Sequence, residues 1–370
     1  MILRPSNAAR WSECAGSLAL QTLYPDDEES PHAREGTAAH FWVTEALEGR
    51  VLPPGAVAPN GHPIDMEMIE CGQIYLDDVY GRMATAAPSA ALGVEQKLSA
   101  HGLIHPLCEG TSDTYLIDLA QHRLIVWDYK YGHRDVDPFR NKQGLCYVAT
   151  ILERYELTLQ DVKGWEIIIC IVQPRNFRAE PVREWKMLGR QAWDAIEQLA
   201  RAAERAAAPN ALCTTSEHCR DCSAAHACEA SLSIGGVVMD IAASSVPVDM
   251  DARQLGVYLR YLTAASKRLE ALKDSLEEVA LSKIRTGHQV PYWTIGHGDA
   301  RERWEVPATE VIAMGEMLGV QLAKPVEPIT PAQARKLGVD PTVISAYSKK
   351  PQGTAKLVPM DETAAAKAFS

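Results

Sequence analysis

Two short segments with strand-like sequence, joined by a tight turn, constrain the fold of this chain more than any other feature. Residues 113–119 and 123–131 are predicted strands, and the short turn Ala120-Gln121-His122 lies between them, which predicts an antiparallel β-hairpin. Alternate residues of a strand share a face, so Asp128 and Lys130 project together. The turn also brings Asp113 beside Asp128. The hairpin therefore predicts two carboxylates and one ammonium group at a single place.

Such a group of charges has a chemical use and a plainer alternative. Two carboxylates at close range repel each other unless a cation lies between them. Mg²⁺ prefers oxygen ligands and keeps several waters, one of which it can activate. Lys130 would then orient that water or stabilise developing negative charge. The alternative is an exposed hairpin with an ordinary Lys–Asp pair, since Asp-X-Lys tripeptides are common.

The segments around the hairpin alternate between helical and strand periodicity. This order predicts an α/β fold with a mixed sheet flanked by helices. Predicted helices cover residues 6–23, 34–48, 66–86, 142–154 and 191–208, and the other predicted strands cover residues 94–98 and 165–172.

The order of motifs along the chain resembles the PD-(D/E)XK nuclease superfamily, and more closely its RecB-like exonuclease branch. In that branch a Gly-X-X-Asp strand precedes an Asp-X-Lys strand, as Gly110-Thr111-Ser112-Asp113 precedes Asp128-Tyr129-Lys130 here. A helix with Gln-X-X-X-Tyr follows, as in residues 143–147. Upstream, residues 35–40 match a helix with a glycine and a metal-binding histidine, and an acidic residue lies on the strand before the hairpin.

The resemblance implies a restriction-endonuclease-like fold and a role for each matching residue. It implies Mg²⁺ or Mn²⁺ as cofactor and metal-dependent hydrolysis of DNA, with exonuclease more strongly indicated than endonuclease activity. Gln143 and Tyr147 lie one helical turn apart and share a face, although Tyr147 also suits a core position. The metal ligands implied are His40, Asp113 and Asp128, and the catalytic residues implied are Asp113, Asp128, Lys130, Gln143, Tyr147 and Glu95.

A second candidate metal centre lies further along the chain. Cys213, Cys219, Cys222 and Cys228 fall within sixteen residues. No thioredoxin-like context surrounds the Cys-X-X-Cys pair, which favours metal binding over redox chemistry. From local spacing alone, four thiolates predict a closed tetrahedral zinc site; chance clustering of buried cysteines is the plain alternative.

The family resemblance predicts a different ligand set at this centre. Iron–sulfur members of the RecB-like branch, including AddB-type and CRISPR-associated exonucleases, use one N-terminal cysteine and a later Cys-X2-Cys-X5-Cys. Cys14 and residues 219–228 match this pattern, which implies a [4Fe–4S] cluster held by Cys14, Cys219, Cys222 and Cys228. Cys213 is then spare. An iron–sulfur cluster needs Cys14 and not Cys213, whereas a local zinc site needs the reverse.

The last third of the chain has a different character. Residues 251–285 predict a long helix with a 4-3-4-3 apolar spacing, which suits packing on the core or self-association. Residues 289–306 predict a β-hairpin, and a proline-rich tail follows. We therefore divide the chain into a nuclease-like core with its cysteine centre, 1–235, and an accessory region, 250–370.

Charge and composition limit the classes of function. The formal net charge of −11 provides no global basic field for nucleic acid, so any DNA contact depends on local charge and bound cations. No segment is apolar enough to span a membrane and no signal peptide is evident, which predicts a cytoplasmic protein without a membrane partner.

The family resemblance also implies a biological setting. It implies a DNA exonuclease that processes ends for recombination or repair in a phage or mobile element. Its partners would be DNA and a recombinase or single-strand annealing protein. The alternative is a non-catalytic nucleic-acid-binding or assembly protein built on a nuclease-like scaffold.

Overall fold

The structure, a computed structural model, describes residues 2–24, 31–176, 179–233 and 251–295, together with Ala313 and Met317. The chain divides into two compact units, Met1–Pro291 and Tyr292–Ser370. The sheet and the helices around it belong to the first unit. Most of the hairpin predicted over 289–306 lies outside the described residues, and so does the proline-rich tail except for those two positions.

The strands form one five-stranded sheet in the order β1-β2-β3-β4-β5. β3 and β4 are parallel, and every other neighbouring pair is antiparallel. A parallel pair needs a crossover, which the helices between β3 and β4 provide. The strands are β1 Ala91–Ser99, β2 Glu109–Asp118, β3 Arg123–Tyr129, β4 Glu166–Val172 and β5 Val182–Leu188.

Helices precede, interrupt and follow the sheet. The α/β class, the mixed sheet flanked by helices and the helical C-terminal region are therefore confirmed. The α-helices are α1 Ala8–Glu13, α2 Ser17–Leu23, α3 Pro31–Leu47, α4 Met66–Met83, α5 Lys142–Arg154, α6 Leu159–Val162, α7 Gly189–Ala207 and α8 Ala252–Arg285. Short 3-10 turns cover Pro5–Asn7, Glu217–Asp221 and Ala225–Ala227.

The sheet buries both of its faces, and this explains the apolar runs in the sequence. On β3, Leu124 and Val126 pack towards one cluster, which also contains side chains of α1, α5 and α7. Ile125 and Trp127 pack towards a second cluster with α3 and α4. A strand covered on both faces has a continuous apolar sequence, as β4 does.

Two local predictions differ from the structure. The single helix predicted over 6–23 divides into α1 and α2, because Cys14 is extended and the Gly16 N–H donates to the carbonyl of Leu212 at 2.9 Å. A Cβ at Gly16 would lie 2.6 Å from Sγ of Cys213, so glycine permits this approach. β5 was not predicted, because its charged residues mask the alternation of an edge strand.

α8 packs on the two 3-10 turns that lie among the clustered cysteines, Glu217–Asp221 and Ala225–Ala227. Ala271 is 3% exposed, and Ser275 Oγ lies 3.4 Å from Nδ1 of His226. The apolar stripe of α8 was predicted to pack on the core or on another copy of the chain. In the structure, Leu262 and Leu276 of this stripe are exposed. Among the described residues, no helix is both long and apolar enough to cross a lipid bilayer.

Candidate active site

Three carboxylates lie side by side across the first three strands. The β2–β3 register pairs Thr114 with Trp127, and its next step sets Asp113 opposite Asp128. The β1–β2 register, continued through its flanking pairs, sets Glu95 opposite Asp113 on the other side. Adjacent strands are about 4.8 Å apart, so each carboxylate is close to the next.

The backbone at Glu95 is unusual for a strand. Its φ is +45°, in the left-handed region that non-glycine residues rarely occupy. Strain of this kind persists where surrounding structure holds it, often at functional sites. Partial burial of the carboxylate and the charge of Asp113 raise the pKa of Glu95, although the residue as a whole is exposed.

Helix α3 crosses this edge of the sheet and contributes a histidine. Nδ1 of His40 is 3.6 Å from Oδ2 of Asp113. One turn later, the hydroxyl of Thr44 lies 3.4 Å from Oε1 of Glu95 and donates to it. Asp113 Oδ2 also accepts the backbone N–H of Tyr129 at 2.9 Å, which holds the carboxylate at the β3 end.

His40, Glu95 and Asp113 form a group that suits a divalent metal ion. Within the described residues, it is the one set of three or more His, Cys, Asp or Glu side chains whose ligand atoms all lie within 4.8 Å of one another. The two carboxylates provide the oxygen ligands that suit Mn²⁺ and Mg²⁺. Glu95, predicted as catalytic, lies in this group, whereas Asp128, predicted as a ligand, lies beside it.

Asp128 is held at the inner side of the group. It is 1% exposed, and burial and the charge of Asp113 raise its pKa while Lys130 opposes both effects. Its Oδ1 accepts from Nε2 of Gln143 at 2.8 Å. Its Oδ2 is buried without an aligned hydrogen-bond donor, although Nζ of Lys130 is 2.9 Å away. Oδ2 therefore forms an ion pair with Lys130 in the interior of the site.

Lys130 and α5 complete the site. Lys130 is 27% exposed, and it donates to Oε1 of Gln143 at 3.1 Å. Burial lowers its pKa, but the charges of Asp128 and Asp113 outweigh burial and raise it, so the side chain remains a cation. Gln143 also donates to the hydroxyl of Tyr147 at 3.3 Å. The structure thus brings all the predicted side chains of this site into one network.

Two supporting residues were missed by sequence reasoning. Thr44 lies four residues after His40 on the same face of α3, a spacing that would have indicated its role. Tyr129 lies between Asp128 and Lys130 and therefore faces the opposite side of the strand, where its ring contacts the ring of His40 with centroids 5.2 Å apart. Nothing in the sequence marked that contact.

The cysteines define a second site, away from the carboxylates. Cys14 and the four clustered cysteines, Cys213 included, line one cavity between the start of α2 and residues 213–231. Sγ of Cys14 accepts the N–H of Thr214 at 3.3 Å, and Sγ of Cys219 accepts that of Ser216 at 3.3 Å. Hydrogen bonds to sulfur of this kind are typical of iron–sulfur sites.

The spacing of the sulfurs distinguishes two kinds of metal group. With Zn–S bonds of about 2.3 Å, tetrahedral sulfurs lie roughly 3.8 Å apart. In the part of the chain that the structure describes, no three cysteine sulfurs lie within 4.8 Å of one another. The donor set is all thiol, and this spacing is wider than one tetrahedral zinc ion requires. Burial and the neighbouring Cys14 raise the pKa of Cys213 to about 12.

Comparison with known proteins places the chain in a family. A family model described as "Protein of unknown function (DUF2800)" matches residues 1–365, and the chain belongs to this family. The match includes the carboxylate site and the cysteine cavity, and it continues through α8. Both candidate sites therefore lie within the matched part of the chain.

Proposed function

We propose that this protein is a metal-dependent deoxyribonuclease that hydrolyses phosphodiester bonds from DNA ends. The observation that carries the proposal is the row of Glu95, Asp113 and Asp128 across three strands, with His40 on one side and Lys130 on the other. Buried like charges are unfavourable unless a cation compensates them. A purely structural scaffold would gain stability from amides or apolar residues at these positions.

The chemistry follows from where each side chain lies. A bound Mg²⁺ or Mn²⁺ would polarise the scissile phosphate and lower the pKa of a water molecule. His40, Glu95 and Asp113 would hold the ion, and Asp128 would lie beside it in its ion pair with Lys130. Lys130 would place its charge where negative charge develops on the phosphate.

Helix α5 would then orient the remaining groups. Gln143 bonds to both Asp128 and Lys130, so it fixes the direction of the carboxylate and of the ammonium group. Tyr147, one turn along α5, in turn holds the amide of Gln143. A small displacement of catalytic groups can reduce a rate by about a hundredfold. The hydrogen bonds of Gln143 and Tyr147 would therefore help to maintain the cleavage rate.

The cysteine cavity supports a second cofactor in this proposal. Cys14, Cys219, Cys222 and Cys228 would hold a [4Fe–4S] cluster, and a structural Zn²⁺ is the alternative. Such a group would join the N-terminal helices to the segment after α7. The wide spacing of the sulfurs favours the cluster.

The resemblance to RecB-like exonucleases supports the biological part of the proposal. It supports exonuclease rather than endonuclease action on DNA, and work in the cytoplasm. It also supports end processing for recombination or repair in a phage or mobile element. A recombinase or single-strand annealing protein would be the partner, and the exposed leucines of α8 are compatible with self-association.

The test is cleavage of end-labelled linear duplex and single-stranded DNA, with a closed circular duplex alongside. Protein purified without oxygen is assayed with Mg²⁺ or Mn²⁺, comparing wild type, Asp128→Asn and the control Glu166→Gln. Glu166 lies at the far end of β4 in an exposed ion pair with Arg123. We expect Asp128→Asn to reduce the rate at least a hundredfold and Glu166→Gln to leave it unchanged.

The products of this assay distinguish the candidate activities. Degradation of linear DNA alone supports an exonuclease, whereas cleavage of the circle as well indicates an endonuclease. Absence of cleavage by protein with an intact metal centre would overturn the proposal. DNA binding that persists in that protein would then indicate a non-catalytic nucleic-acid-binding protein.

A further inference from the structure

Glu13 lies between the two candidate sites. It is the last residue of α1 and directly precedes Cys14. Its Oε1 is 2.9 Å from Nζ of Lys142, the first residue of α5. Its Oε2 is 3.6 Å from Nε2 of His218, the neighbour of Cys219. Glu13, which is itself adjacent to Cys14, therefore contacts both the neighbour of Cys219 and the helix that carries Gln143.

The main chain around Glu13 is held equally closely. The hydroxyl of Thr214 donates to the carbonyl of Glu13 at 2.6 Å, and the N–H of Thr214 donates to Sγ of Cys14 at 3.3 Å. The position of the Glu13 carboxylate therefore depends on how the cysteine segment is seated. A group bound by Cys14 would fix that segment.

A second bridge connects the same two regions. Arg134, in the loop after β3, bonds to both carboxylate oxygens of Asp221 at 2.7 and 2.6 Å. Asp221 directly precedes Cys222, and its carbonyl accepts a hydrogen bond from Arg10. The loop that contains Arg134 runs from Lys130 to α5. Arg134, within this loop, thus bonds to the cysteine segment, and Lys142, directly after the loop, pairs with Glu13 of α1.

The path from Lys142 to the carboxylate site is one residue long. Gln143 follows Lys142 and bonds to Asp128 at 2.8 Å and to Lys130 at 3.1 Å. Asn141 caps the helix by accepting the N–H of Gly144 at 2.8 Å. Movement of this first turn therefore moves the amide that orients both charged groups.

We propose that Glu13 is a positioning residue that transmits occupancy of the cysteine centre to the catalytic helix. With the centre filled, Glu13 holds Lys142 and the first turn of α5 in register with Asp128. With the centre empty, the ion pair loosens and Gln143 loses its alignment. The inference rests on the proposed function and gives the cysteine centre a regulatory role in addition to a structural one.

The size of the effect follows from the exposure of the pair. The side chains of Glu13 and Lys142 are 41% and 31% exposed, so the pair is partly screened. Such pairs contribute at most about 1 kcal/mol. We therefore expect a change of roughly threefold to fivefold when the bridge is removed, and not complete loss.

The test combines hydrogen exchange with spectroscopy of the cysteine centre. Amides of residues 144–147 are followed in wild type, Glu13→Gln and the control Arg201→Gln, each with the metal centre filled and after chelation. Arg201 forms an exposed ion pair with Glu197 on α7. Visible absorbance and metal content record occupancy, and DNA cleavage is measured in parallel.

We expect exchange at residues 144–147 to increase at least threefold when wild type or the control loses its metal. Filled Glu13→Gln should keep the absorbance, show faster exchange already, and cleave DNA roughly threefold to fivefold more slowly. Chelation should then add little to its exchange.

Three results would overturn the inference: no response of α5 to chelation in wild type, the same response in Glu13→Gln as in wild type, or a cysteine centre that takes up neither iron nor zinc. The exchange readout separates this inference from the proposed function, since it does not require cleavage. A wild type that cuts no DNA but couples α5 to the metal would refute only the nuclease.

Discussion

Substituting Gly144 by alanine tests whether the seating of α5 controls the active site. α5 rests on β4 at this glycine, where a Cβ would lie 2.6 Å from Cγ2 and 3.0 Å from Cδ1 of Ile169. Ordinary contact begins near 3.4 Å. The helix would therefore have to retreat by the difference, about 0.8 Å, unless Ile169 gives way.

A retreat of that size is enough to disrupt the site. The bond of 2.8 Å from Gln143 to Asp128 would lengthen to roughly 3.6 Å, beyond hydrogen-bonding range. We expect the cleavage rate to fall about tenfold to a hundredfold. The free energy of unfolding should change less than the cleavage rate. The overpacking penalty of about 1–3 kcal/mol is partly offset by a gain of about 1 kcal/mol, because alanine has a higher helix propensity than glycine.

The assay pairs urea unfolding with DNA cleavage in four variants. Gly81→Ala is the matched control, because Gly81 lies in α4 with open space where the Cβ would go. It should gain up to about 1 kcal/mol in stability and keep full activity. Ile169→Ala alone should lose about 2–5 kcal/mol as a core cavity. Combined with Gly144→Ala, it makes room for the new methyl group.

The double variant gives the decisive comparison. We expect a favourable coupling free energy of about 0.5–3 kcal/mol between the two sites, with a cleavage rate above that of Gly144→Ala alone. Strictly additive stabilities would show that the new methyl group does not press on Ile169. A Gly144→Ala variant as active as Gly81→Ala would refute the reasoning that α5 must sit within an ångström of its place.

Three further predictions concern charge and metal. The fold raises the pKa values of Glu95 and Asp128. Without metal, the free energy of unfolding should therefore fall as the pH rises from about 4 through the raised pKa values. Added Mn²⁺ should reverse this loss, as thermal melts would show. Lys130→Gln leaves the buried charge of Asp128 unpaired and should cost about 3 kcal/mol in EDTA but less with Mn²⁺, as unfolding titrations would reveal. Cys14→Ser should lose bound iron whereas Cys213→Ser should keep it; metal analysis with the opposite result would indicate zinc.

The hairpin and its charges were predictable because their signals are local. β2 and β3 are adjacent in sequence, their turn is short, and alternation alone assigns Asp128 and Lys130 to one face. β5 was not predicted, because its residues Arg183, Glu184 and Lys186 do not resemble a typical strand. They occupy an edge strand, where charged side chains are tolerated. The break between α1 and α2 also escaped, since its cause is a contact with residues about 200 positions away.

The composition of the site was only partly predictable for the same reason. Glu95 becomes a neighbour of Asp113 through the register of β1, which the sequence does not specify, and through a left-handed backbone that no propensity predicts at glutamate. The approach of Cys14 to the later cysteines depended on family resemblance and not on spacing. That Cys213 lies in the same cavity as Cys14 was predicted by neither ligand set, since each set contained only one of these two cysteines.

The charges of the carboxylate site favour a bound cation. Glu95, Asp113 and Asp128 carry three negative charges against one positive charge on Lys130, which leaves a formal charge of −2 in a partly buried place. A single divalent cation brings it to zero. The whole chain carries a net charge of −11, so DNA phosphates would be repelled from this edge of the sheet without that ion. Metal binding would therefore be required before DNA can approach, and DNA affinity should depend on Mg²⁺ or Mn²⁺ even in variants that cannot cleave.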